Sequence, residues 1–135
     1  MYFEASTLAN DGTYRALTIS DGTNSNVVRI YYASAINRVT VEVRSNNVAV
    51  FTNNHTLTDS TQFNKIAVRY KKDYFSLWVN GVEVGIDSNG NAPISLSKLT
   101  FNNGVGTEPF YGNTKDLKYY PKALADVQLE DLTTI

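Results

Sequence analysis

The sequence predicts an all-β domain, a sandwich or barrel, closed by one short C-terminal helix. Three observations carry this. Ten short runs rich in β-branched and aromatic residues follow one another along the chain. Clusters of Asn, Asp, Ser and Gly separate them at regular spacing. Helical periodicity occurs once, at the end, where Leu124, Val127, Leu129 and Leu132 form an approximate stripe.

The predicted strands are Tyr2 to Ser6, Tyr14 to Ser20, Val27 to Ala33, Arg38 to Arg44 and Val48 to Thr52. Lys65 to Lys71, Tyr74 to Val79, Val82 to Ile86, Lys98 to Phe101 and Lys115 to Tyr120 follow. Within them apolar and polar residues alternate, as a sheet with one buried face requires. Val39, Val41 and Val43 oppose Thr40, Glu42 and Arg44. Val28, Ile30 and Tyr32 oppose Arg29 and Tyr31. Leu117 and Tyr119 oppose Asp116, Lys118 and Tyr120. Pro121 ends the last strand by withholding a backbone donor. A helix over Ala125 to Leu132 then plugs one edge, its start capped by Asp126 or the residues before it.

The meander from Lys65 to Ile86 specifies its own register. Asn80-Gly81 supplies the positive φ angles of a type I′ hairpin. With a second two-residue turn at Lys72-Asp73, Ile66, Val68 and Tyr70 stand beside Val79, Leu77 and Phe75. Val82, Val84 and Ile86 extend that apolar face. The other face carries Ala67, Arg69, Tyr74, Ser76, Trp78 and Glu83. A slip of one residue buries Arg69 and Glu83, which forbids it.

Length and composition narrow the rest. The 135 residues suit one domain, 1–135, with one core. A net charge of −1 gives no electrostatic reason to expect nucleic acid or an anionic membrane. The absence of cysteine excludes disulfides, thiolate metal sites and thiol catalysis. No apolar run reaches the roughly 20 residues of a membrane span. Met1 leads straight into strand-like residues, the pattern of an excised domain with a start codon added.

Two segments resemble a known family. Phe75-Ser-Leu-Trp-Val-Asn-Gly-Val-Glu-Val84 resembles the aromatic-Val-Asn-Gly hairpin of concanavalin A-like lectin/glucanase and laminin-G-like domains. Phe110-Tyr-Gly, then Lys115-Asp-Leu-Lys-Tyr-Tyr, then Ala123-Leu-Ala-Asp-Val-Gln-Leu-Glu resembles their closing signature. The opening Tyr2-Phe-Glu-Ala5 and the Asn-rich chain behind it are similar to copies of this fold in bacteriophage tail, fibre and decoration proteins. The resemblance implies a two-sheet antiparallel jelly-roll sandwich. It also implies carbohydrate binding as the commonest role, on an extracellular or virion surface.

Candidate binding residues are those pointing off the core face. Trp78, the only Trp, offers a flat ring for a pyranose, although Ala67 opposite it also leaves room for the indole to pack on the sheet. Arg29, Tyr31, Glu42, Arg44, Arg69, Glu83 and Tyr120 supply guanidinium, carboxylate and aromatic groups suited to sugars. The same residues also suit a solvated face with cross-strand ion pairs. Asp21 and Asn24, or Asp87 and Asn89, are weak candidate calcium ligands, since each loop has a single carboxylate and no EF-hand pattern. No other cofactor is implied.

Glucanases of this fold carry Glu-x-Asp-x-x-Glu on one strand, and no strand here does. His55 lies alone in a polar stretch, without a Ser or Cys partner. The expected function is therefore glycan or polysaccharide binding without catalysis, in a module of a larger virion or secreted protein. The alternative is a structural domain that holds an assembly together, with homo-oligomerisation.

Overall fold

The computed structural model describes residues 1–135. It contains β1 (Tyr2–Thr7), β2 (Arg15–Ser20), β3 (Val27–Tyr32), β4 (Arg38–Ser45) and β5 (Val48–Thr56). Next come β6 (Asn64–Lys71), β7 (Tyr74–Val79), β8 (Val82–Asp87), β9 (Lys98–Thr100), β10 (Gly112–Lys118) and α1 (Asp126–Thr133). The strands form two five-stranded sheets, ordered β10-β1-β6-β7-β8 and β5-β4-β3-β2-β9. All neighbouring pairs are antiparallel. This is the expected jelly-roll sandwich.

The inward residues of both sheets meet in one core. Phe3, Ile66, Val68, Phe75 and Leu77 come from the first sheet, and Leu17, Val28, Ile30, Val39, Val41 and Val43 from the second. Phe3 and Phe110 meet edge to face at 5.2 Å, and Phe51 stacks with Phe75. Loss of water from these side chains drives the two sheets together.

The predicted β6–β7 register is observed. Ile66, Val68 and Tyr70 pair with Val79, Leu77 and Phe75, and Ala67 lies across from Trp78. Asn80 and Gly81 both take positive φ, as the turn demands.

The β7–β8 pairing differs from expectation. Val82 faces Val79 and Glu83 faces Trp78, but the register shifts between Leu77 and Trp78. Ile86 then pairs with the outward Ser76 and is 60% exposed. An extra residue in one strand inverts the two-residue alternation beyond it. Val82 keeps its inward phase yet is exposed, because β8 is an edge. Tyr119 lies just past β10, which ends at Lys118 at the other edge of the sheet, and its ring is half exposed while its hydroxyl meets that of the core-packed Tyr70.

The helix also departs from expectation. It lies on the outer face of the first sheet, over β6, β7 and β8, and plugs no edge. Ala125 holds its N-cap position without a side-chain cap. The Gln128 side chain instead accepts from the Ala125 N–H at 2.9 Å. Asp126 is turned towards the sheet.

Candidate functional site

The helix decides what happens to half of the expected site. Trp78, Tyr2, Ala67 and Leu129 form a second buried cluster, with Tyr120, Leu124 and Leu132 packed around it. Trp78 is 7% exposed, and its indole N–H donates to Ser76 Oγ. The small Ala67 makes room for the ring, and the helix seals it. The reading of Trp78 as an open sugar platform is thereby corrected.

Arg69 is drawn into the same closure. Its side chain is almost fully buried, with Nη1 donating to Asp126 at 2.5 Å and to the Leu124 carbonyl at 3.2 Å. The guanidinium lies over the Tyr74 ring at 3.6 Å, and Glu83 stands 3.6 Å away. Arg69, Glu83 and Tyr120 thus serve the helix–sheet contact and do not form an open groove. Burying a cation on a sheet is costly unless it is paired, and Asp126 supplies that pair.

The hydrogen bond from Arg69 holds the Asp126 carboxyl below the usual carboxylate range. A lowered folded pKa means the contribution to stability is present above the unfolded value. It is lost as pH falls through the folded value. Asp126→Asn should therefore be less stable than the native chain near neutrality. The gap should close in a series of thermal melts carried into acid; a gap that stays constant would exclude this pair as its source.

The second sheet keeps its outer face free of any helix. Arg29 of β3 and Glu42 of β4 are direct cross-strand partners. Glu42 stands between two guanidiniums, with Arg29 Nη1 at 3.0 Å from Oε2 and Arg44 Nη1 at 3.1 Å from Oε1. Two cations against one carboxylate leave a net positive charge on this row.

Loops fix both arginines. Arg29 Nη2 donates to Asn24 Oδ1 and to the Asn103 carbonyl. Arg44 donates to the carbonyls of Asn24 and Asn47. Arg29 Nε is buried without a protein acceptor. Beside this row Tyr31 faces outward, opposite Ala16 on β2 and Thr40 on β4. Burial and then the charge of Glu42 push the Tyr31 phenol up.

The 102–107 loop walls this face on the β2 side. Thr18 donates to the Asn102 carbonyl at 2.7 Å, and Gly104 rests against Thr18. Arg29, Tyr31, Glu42 and Arg44 are thus brought together, while Trp78, Arg69, Glu83 and Tyr120 lie on the other sheet. The expected single face is two separate surfaces.

Tyr14 and Asn103 are not among the residues the sequence singles out, and Asn24 is singled out for a different role. Tyr14, whose ring lies parallel to Tyr31 at 5.9 Å, was visible only as the start of a strand. Asn24 and Asn103 looked like turn residues, and nothing in their spacing signals that they would meet Arg29. The Asn24 side-chain oxygen, a weak calcium candidate by sequence, accepts from the Arg29 guanidinium.

The loop oxygens of Asp21, Asn24 and Asp87, named as weak calcium candidates, accept hydrogen bonds within the protein. Asp21 accepts from the backbone and hydroxyl of Thr23 and from Asn26. Asp87 accepts from the Asn89 N–H. No three acidic or histidine side chains gather to hold an ion. These oxygens close turns, as Asx motifs do.

The chain belongs to the concanavalin A-like lectin/glucanase superfamily, whose laminin-G-type model matches residues 6–129. Among solved structures it resembles the Ruminococcus gnavus IT-sialidase CBM40 bound to α2,3 sialyllactose. Identity is 20%, the TM-score 0.74, and coverage 98% of this chain and 80% of that one. The same module bound to α2,6 sialyllactose matches at 17% identity with a TM-score of 0.67, over 98% of this chain and 80% of that one. The leech intramolecular trans-sialidase matches at 19% identity with a TM-score of 0.74, over 99% of this chain but 23% of the enzyme. At these identities the likeness establishes the fold. No curated protein sequence matches the chain.

Proposed function

We propose that this domain binds glycans without cleaving them, and that its ligand is an acidic, sialic acid-type sugar. The observation that carries this is the Arg29–Glu42–Arg44 row beside Tyr31, on the sheet face that no helix covers. A net cation held by fixed guanidiniums attracts a sugar carboxylate, with Arg44, the more exposed of the two, offering it charge-assisted hydrogen bonds. Glu42 and Tyr31 suit hydroxyls and the apolar ring face. The sialyllactose bound by the R. gnavus module is of this chemical class.

Binding without hydrolysis is supported by the same face. Glu42 is the one acid among the outward residues of β2, β3, β4 and β5, whereas glycoside hydrolysis uses a carboxyl pair. We place the domain as a module of a larger extracellular or virion-surface protein. The match to 23% of a longer enzyme supports a modular role.

Calorimetry with sialyllactose and lactose tests the proposal. The native chain should bind sialyllactose and discriminate against lactose. Added salt should weaken the binding, because the charges lie near the surface. Arg44→Ala should lose about tenfold or more, the worth of a hydrogen bond to a charged group. Equal binding of both sugars would remove the carboxylate from the argument. No glycan binding together with a stable trimer in light scattering would favour the assembly role.

A further inference from the structure

We infer that Tyr14 and Tyr31 form a second subsite, an aromatic shelf for the neutral sugar that follows the acidic residue in a glycan chain. This rests on the acidic-sugar reading above and extends it along the sheet. Tyr31 lies two residues beyond Arg29 on β3, on the same face and about 7 Å along the strand.

The residue opposite Tyr31 on β2 is Ala16, which adds almost no volume. Tyr14 continues the outward row of β2 past Ala16 and covers the gap. The two rings are nearly parallel, 14° apart with centroids at 5.9 Å. That spacing leaves no room for a sugar between them, so a ligand meets the pair from outside. Tyr14 is 45% exposed, so its ring is available there.

The shelf is preorganised. Asp11 accepts from the Thr13 N–H at 3.0 Å and is gripped by both terminal nitrogens of Arg15, at 2.7 and 3.0 Å. The Arg15 side chain is itself almost fully buried, which anchors the clamp to the core. On the far side Ala16 N–H donates to the Glu108 carbonyl. Tyr14 therefore sits between two tethered neighbours, and little loop freedom is left to lose on binding. Glu42, whose charge reaches the Tyr31 ring, is paired with Arg29 and Arg44, and Asp11 of the Tyr14 loop with Arg15, so the shelf suits an uncharged pyranose.

Calorimetry with free sialic acid and with sialyllactose separates the two subsites. Tyr14→Ala should weaken sialyllactose about tenfold and leave free sialic acid unchanged. Tyr14→Phe should keep both affinities, since the ring face is retained. An equal loss for the two ligands would overturn the shelf, because Tyr14 would then only prop Tyr31. No loss for either would overturn it as well. Should the native chain bind neither ligand, the acidic-sugar reading itself fails, a result distinct from either outcome for Tyr14.

Discussion

Trp78→Ala is expected to cost about 3–5 kcal/mol of folding stability, the range for truncating a buried large aromatic. The total for a domain of this kind is about 5–15 kcal/mol. The indole fills the space between β6, β7 and α1, against Tyr2, Ala67 and Leu129. Its loss leaves a cavity that the sheet cannot close, because Ala67 has no further reach. The helix buries few side chains of its own, chiefly Leu129 and Thr133. Its docking thus depends on the aromatic beneath it. Urea unfolding followed by far-UV dichroism measures the effect as a lowered midpoint. Trp78→Phe should recover much of it. The folded fraction of Trp78→Ala should bind sialyllactose like the native chain, since Trp78 faces the opposite side of the sandwich from Arg29. Native stability with lost glycan binding would reverse this assignment and return the sugar to Trp78.

Gly112→Ala is expected to destabilise the chain by about 1–3 kcal/mol, the range for forcing extra volume into a packed site. A Cβ at Gly112 would lie 2.3 Å from the Ser6 carbonyl oxygen and 2.8 Å from the Phe110 ring. The obstructing oxygen is backbone of β1, held in the sheet between β10 and β6. It cannot swing aside, so β10 must move. The aromatic-Gly pair of the closing signature thus has a steric cause: Phe110 packs on Phe3, and the chain must then pass β1 without a side chain. Gly85→Ala offers a control. There the atoms in the way belong to the Asn53 side chain, which can rotate, so the cost should be smaller. Hydrogen exchange should show faster opening of the β10 amides in Gly112→Ala. Unchanged exchange and stability would mean that β10 slides without penalty.

Much of the fold was legible because its causes are local. Val39, Val41 and Val43 alternate with Thr40, Glu42 and Arg44, and either phase error would bury a charge. Asn80-Gly81 takes its turn from backbone preference alone. Where local causes stop, legibility stops. The bulge near Trp78 reverses the phase after Val84, and Ile86 turns outward although its spacing reads as inward. Alternation assumes an unbroken ladder, and nothing in Val82-Glu-Val-Gly-Ile-Asp87 announces the break. Four of the eight proposed site residues share the helix-free face, since Arg29 and Glu42 are cross-strand partners of adjacent strands. The other four share a different face, because pattern alone shows that a residue points off the core and not which sheet it belongs to.

By itself, the sequence pattern determined an all-β sandwich or barrel, the approximate strands, the β6–β7 register and the class of residues that face outward. These follow from side-chain period, turn chemistry and the cost of burying charge, each of which acts within a few neighbouring residues. Only the tertiary structure decided which outward face remains a surface. Helix α1 returns from the end of the chain to cover Trp78 and to pair Asp126 with Arg69. The loops bearing Asn24 and Asn103 converge on Arg29 from opposite sides of the sequence. Apart from the Asn24 contact, these bring together residues more than fifty positions apart, and burying apolar area or satisfying a charge selects them only once both sheets exist.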